Sequence, residues 1–168
     1  MRERENSHDL GGYLVTVDYN RSLEDRIVAG KYNLVSDFFT KNAIHFPTAR
    51  REGKKEILVT TLLFPSRRFN PFNSKKAIEE LDKFGYQPAG LDELLALGEA
   101  YPLFGPAYRE TATQPYYDIV ALGSIFKGPE GKLVPYVKGS RWRRVLNVSS
   151  FERYWSSHFG FLVYQKEG

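Results

Sequence analysis

The nine residues Glu56 to Phe64 (Glu-Ile-Leu-Val-Thr-Thr-Leu-Leu-Phe) constrain the fold more than any other stretch of this chain. Apolar or β-branched side chains occupy both odd and even positions, so a strand here presents apolar groups to both faces of a sheet. Such a strand needs cover on each side, which places it in a sheet interior. Pro65 closes it, and the run is far too short to span a bilayer as a helix.

The flanking sequence supplies the cover. Gly12 to Tyr19 reads as a second strand, on β-branched and aromatic content. Ser22-Leu-Glu-Asp25 resembles a capping box, Leu23 and Ile27 lie one turn apart, and Gly30 stands where a short helix would stop. Residues 31–46 show no clear period and are expected to be irregular or a helical turn. Asn73 or Ser74 caps a helix running to Phe84, whose apolar stripe is Ala77, Ile78, Leu81 and Phe84; Gly85 ends it. A further helix is expected from Leu91 to Tyr101, with Asp92 and Glu93 in its first turn. Beyond a loop at 103–116, four strands follow at Tyr117–Phe126, Lys132–Val137, Trp142–Val148 and Phe159–Tyr164, with a hairpin turn at Gly128–Gly131. Pro135 cannot donate to a ladder, so its strand is expected at an edge or a bulge. These elements imply an α+β chain: a flexible tail at 1–10, then a single domain from 11 to 168, with possible sub-parts 11–84 and 85–168. Its two central helices would precede a C-terminal antiparallel meander of about four strands.

Charge is segregated along the chain. Residues 41–76 carry nine basic and two acidic groups, 77–118 two basic and eight acidic, and 127–166 eight basic and two acidic. With no cysteine, disulfide and thiolate chemistry are excluded, and the three histidines, His8, His45 and His158, are scattered rather than clustered. No metal site or cofactor is expected. The charged start lacks a following apolar core, so no signal peptide is visible and a cytoplasmic location is expected, with no membrane partner. His158 adjoins Ser156 and Ser157 but lacks an identifiable acid, and Glu79/Glu80 and Asp92/Glu93 read as helix-exterior or first-turn residues.

What the chain has in quantity is 25 aromatic residues and 24 lysines and arginines, the residue types that dominate binding surfaces. Arg141-Trp-Arg-Arg144 is the sharpest local feature. One reading makes it a ribbon that contacts phosphates or stacks on bases. The other makes it an ordinary strand with Trp142, Leu146 and Val148 inward and Arg144, on the same face, forced to snorkel or pair. Tyr154 and Trp155 in the following connector complete the primary candidate surface of Arg141, Arg143, Arg144, Tyr154 and Trp155. Arg50, Arg51, Arg67 and Arg68 form a secondary basic set, beside Phe69 and Phe72, which either tuck under the helix or meet a partner.

The segment Gly85-Tyr-Gln-Pro-Ala-Gly-Leu-Asp-Glu-Leu-Leu95 resembles the run that leads into a helix in bacterial C-type-lectin-like domains and their formylglycine-generating-enzyme-like relatives. It is also similar to a group of uncharacterised bacterial proteins with no established activity. The resemblance covers about half the chain and implies an antiparallel meander after the helix and ligand binding by surface loops. The paired cysteines and calcium-binding triplets of animal lectins are absent, as are the oxidoreductase-type cysteines of the formylglycine enzymes, so no functional residue carries over. The expectation is a non-enzymatic bacterial binding module for a protein or small polar ligand. The alternatives are a nucleic-acid-associated protein and an unrecognised hydrolase or transferase.

Overall fold

The computed structural model describes residues 8–42, 52–64, 72–101, 118–140, 143–156 and 158–167. In chain order the elements are β1 (His8–Asp18), α1 (Leu23–Ala29), β2 (Leu34–Val35), α2 (Asp37–Asn42), β3 (Lys54–Leu63), α3 (Ser74–Lys83), β4 (Tyr86–Pro88), α4 (Leu91–Ala100), β5 (Asp118–Val120), β6 (Phe126–Gly128), β7 (Gly131–Ser140), β8 (Arg143–Ser150) and β9 (Phe159–Gln165). One nine-stranded sheet runs through both halves in the order β1-β3-β9-β5-β7-β8-β2, with β4 also on β9 and β6 also on β7. The expected α+β class is what forms.

The Glu56–Phe64 run behaves as its composition requires. β3 lies between β1 and β9, and both its faces are covered around Thr60–Leu63. On the first face Val15, Val17, Ile57, Val59, Ile119, Val137, Leu146 and Leu162 pack with Leu91, Leu94, Leu95 and Leu97 of α4 and Phe39 of α2. On the second face Leu62, Val120, Val134, Phe161 and Val163 meet Ala77 and Leu81 of α3 together with Phe72 and Trp155.

Helix ends follow local chemistry. Ser22 accepts from the Asp25 N–H and Asn73 from the Lys76 N–H, each satisfying a first-turn donor. At α4, Glu93 reaches back to the Gly90 N–H, while Ser124 accepts from the Leu91 N–H across 33 residues of sequence. Gly30 does stop α1, though at φ −71° it does not use left-handed backbone. A Cβ there would stand 2.4 Å from the Tyr32 ring, so packing rather than conformation requires glycine.

Four expectations need correction. The C-terminal part is no plain meander: β9 returns to the sheet centre between β3 and β5, and pairs parallel with β5. The expected strand at 117–126 is two short ones, β5 and β6, broken by a turn at Leu122–Gly123; Tyr117 lies outside the described residues. β1 also reaches back to His8, into the stretch expected to be a tail. Pro135 sits in an interior strand rather than at an edge, and the same break explains how. Its carbonyl accepts from the Ala121 N–H, so its missing donor faces the interruption between β5 and β6, where no ladder partner is waiting. Among the described residues no helix is long and apolar enough to cross a membrane.

Candidate functional site

Strand alternation sends Arg144 to the first face and Arg143 to the second. Arg144 is buried at 5% exposure. Its guanidinium donates to the Gly30 carbonyl at 3.2 Å and the Gly98 carbonyl at 3.0 Å, and lies 4.7 Å from the Tyr32 ring centroid. Those carbonyls belong to the C-terminal ends of α1 and α4, where the helix dipoles leave partial negative charge. Arg144 is thus a cap shared by two helices and is withdrawn from any contact surface. Burial pushes its pKa down and the Tyr32 phenol up to about 12, with the neighbouring guanidinium opposing the phenol's shift. Trp155 is buried too, at 3%: its indole N–H donates to Ser74 Oγ at 2.8 Å, and that hydroxyl donates to the Phe151 carbonyl.

Arg143 is exposed and Tyr154 is 63% exposed, so these two primary candidates do face solvent. Arg141 lies outside the described residues, as do Arg50, Arg51, Arg67 and Arg68, and Phe69 and Trp142. Phe72 tucks under α3, as the core-packing alternative expected.

The arginine that meets aromatic rings is Arg153, which residue-type reasoning passed over. Its guanidinium lies 4.8 Å from the centroids of both Trp155 and Phe159, with Nη1 donating to Ser149 Oγ at 3.0 Å. Beside it on the second face stand Asp118 of β5, Lys138 of β7 and His158 at the head of β9. Asp118 is 6% exposed, and its Oδ1 accepts no hydrogen bond among the described residues. The Nε2 of His158 stands 3.7 Å from that oxygen, an ion-pair distance but too long for a hydrogen bond. Burial raises the Asp118 pKa, and His158, Lys138 and Arg153 oppose the shift in that order. The acid missing from the sequence reading of His158 is therefore Asp118, 40 residues away. Its signal was a carboxylate opening the apolar run Ile119-Val-Ala-Leu122.

The acids of the 77–118 block are partly occupied elsewhere. Asp92, 2% exposed, pairs with the buried Arg26 at 2.5 Å, and Glu99 pairs with Arg21 at 3.0 Å. Asp82 pairs with Lys166. Asp92 and Glu93 do stand in the first turn of α4, as expected, but there they are buried pairing and capping groups.

A separate cleft of about 410 Å³ opens within the sheet plane. β3 and β9 pair only through Thr60–Leu62 and Phe161–Val163, and beyond that they diverge. Lys55–Leu58 of β3 and Tyr164–Glu167, at and just beyond the end of β9, line the gap with Gln87, and Lys55 bridges it to Glu167 at 3.2 Å. Its lining charges are balanced. No group of three or more potential metal ligands occurs among the described residues. Comparison of the chain with family models, curated proteins and solved structures gave no match.

Proposed function

We propose that the chain is a recognition module that holds an anionic group of a protein or small polar ligand on the second face, around Arg153, Lys138 and His158. The observation that carries this reading is the fixed posture of Arg153. Two rings and Ser149 orient its guanidinium, and Nη2 keeps no partner among the described residues. A pre-oriented guanidinium loses little freedom when it binds a carboxylate or phosphate, and it can do so bidentately. The exposed Tyr154, Lys138 and Arg143 extend the same face.

Amide-resolved NMR titration with inorganic phosphate and with acetate tests it. Shifts confined to residues near 138, 149–158 and 118, abolished by Arg153→Ala, are expected. No perturbation by either anion at tens of millimolar would sink the reading. A short single-stranded oligonucleotide tests the nucleic-acid alternative. Tight binding with a steep salt dependence, lost on charge reversal at Arg143 and Lys138, would favour it.

The Asp118–His158 pair favours a second reading, a hydrolase or transferase with His158 as general base and Asp118 orienting it. Its test is turnover of activated ester and phosphoester substrates. Activity that survives His158→Ala unchanged would remove this reading.

A further inference from the structure

We infer that β1 is a self-association edge, pairing antiparallel with β1 of a second copy about a two-fold axis at Leu14. β1 ends the sheet order, so among the described residues one side of its backbone has no strand neighbour. The parity of that side is fixed by two bonds. The Tyr19 N–H donates to Gly53, which turns odd-numbered backbone groups toward β3. The Leu14 carbonyl instead accepts from the Tyr101 hydroxyl at 3.3 Å, which turns even-numbered groups to the free edge. Gly12, Leu14 and Thr16 thus present N–H and C=O pairs outward, the pattern an added antiparallel strand completes.

The side chains at this edge are those a monomer would avoid. Leu14 is 54% exposed and Leu58 62%, and they sit directly opposite one another in the β1–β3 register. From Gly12 to Thr16 the edge carries no charge and no proline, the usual devices against edge pairing. A second copy is the occupant that the pattern selects. A two-fold axis at Leu14 sets leucine against leucine and extends the cross-strand pair into a row Leu58–Leu14–Leu14–Leu58. It sets Thr16 against Gly12, which has no side chain of its own and is flanked by the Leu58 side chain, 3.1 Å from where a Cβ would stand. In the adjoining row Glu56, opposite Thr16 on β3, meets no acid across the new seam, because the corresponding positions are Gly12 and Thr60. An isologous strand pair needs this kind of self-complementarity. Tyr101 does not forbid it, since a carbonyl has a second lone pair to offer. The contact is small beside a standard stable interface of about 1,200–2,000 Å², so the association is expected to be weak and concentration-dependent.

Sedimentation velocity over a concentration series, from about 1 µM to about 500 µM, tests the inference, that range bracketing a weak interface. The wild-type mass should rise toward twice the monomer value. Leu14→Lys should stay monomeric throughout. Thr16→Pro should do the same, because it deletes an N–H aimed away from β3 and leaves the intramolecular ladder intact. Tyr101→Phe, which frees the Leu14 carbonyl, should leave the association unchanged or tighten it. Circular dichroism establishes that each variant is folded. A wild-type protein monomeric at every concentration would overturn the inference, and so would a dimer that both edge variants preserve.

Discussion

Replacing Gly98 with alanine opposes two physical rules in one experiment. Gly98 lies in the last turn of α4, where alanine is worth about 1 kcal/mol over glycine on helix propensity alone. The surroundings reverse the sign. A Cβ at this position would stand 2.1 Å from the Tyr32 hydroxyl, 2.9 Å from its Cζ and 2.7 Å from Arg144 Nη2. None of these can yield cheaply, because the phenol fills the notch between Gly30 and Gly98, and the guanidinium bonds both of their carbonyls. If Arg144 retreats, hydrogen bonds to a charged donor are lost, each worth about 1.5–3 kcal/mol. The cation–π contact with Tyr32, worth about 0.5–2 kcal/mol, goes with them. Counting the one bond made by the crowded Nη2, to the Gly98 carbonyl, together with the ring contact, and setting both against the propensity gain, Gly98→Ala should destabilise by about 1–4 kcal/mol, close to the usual range for overpacking. In a chain of this size that lowers Tm by about 2–4 °C per kcal/mol. Urea unfolding of wild type, Gly98→Ala, Tyr32→Phe and the double variant measures it. Tyr32→Phe removes the atom nearest the new methyl, so the double variant should be more stable than the sum of the singles, with a coupling of about 0.5–3 kcal/mol. A Gly98→Ala protein at or above wild-type stability would refute the packing account of this residue.

Asp92→Ala strips the buried Arg26 of its partner and should cost about 3–5 kcal/mol in urea unfolding, whereas Arg26→Met combined with Asp92→Leu should lie near wild type. Ser74→Ala leaves both the Trp155 N–H and the Phe151 carbonyl without their bond, an expected loss of about 1–3 kcal/mol that a Trp155 fluorescence melt would register. Asp118 titrates with a sign that can be worked out. Its native pKa is raised above the ordinary 3.8, so between the two values the native state binds more protons and stability falls as pH rises through that window. Asp118→Asn should therefore gain on wild type as pH is raised from the lower to the upper end of it, and a difference independent of pH would count against a strained buried carboxylate.

What the chain made legible was whatever two or three neighbouring residues decide. Ser22 and Asn73 cap their helices because a side-chain oxygen needs only the N–H three residues on. The turn between Gly128 and Gly131 joins paired strands because glycine at 131 accepts φ 120°. The apolar run around Thr60 becomes interior because its composition demands cover on both faces. Periodicity also assigned Arg144 correctly to the side facing inward, yet it could not say what lay opposite. The groups that receive it, Gly30 and Gly98, are 114 and 46 residues away.

Guanidinium groups cannot be sorted into gripping and bracing ones by composition, because both jobs use the same planar donor fork and aromatic neighbour. Arg144 and Arg153 each lie over a ring, Tyr32 for one, Trp155 and Phe159 for the other. They differ in what the remaining donors meet. Around Arg144 those are two helix-terminal carbonyls, which hold its two terminal nitrogens inside the protein. Around Arg153 the Ser149 hydroxyl and the adjoining Tyr154 carbonyl take a share, and the charge beside it is a buried carboxylate held partly in check by His158 and Lys138. That distinction arises only when β9 is laid between β3 and β5, which brings residues near 158 against residue 118. The proposed site therefore depends on the strand whose position the sequence pattern least determined. A variant that loosens the β5–β9 register, such as Gly160→Val, should disturb the Arg153 face before it unfolds the chain. Gly160 faces β3 with no side chain, and a Cβ there would fall 2.4 Å from Thr61 Cγ2. NMR shifts of residues 118 and 153–159 that stay at their wild-type positions in a folded Gly160→Val protein would break the link between that strand and the site.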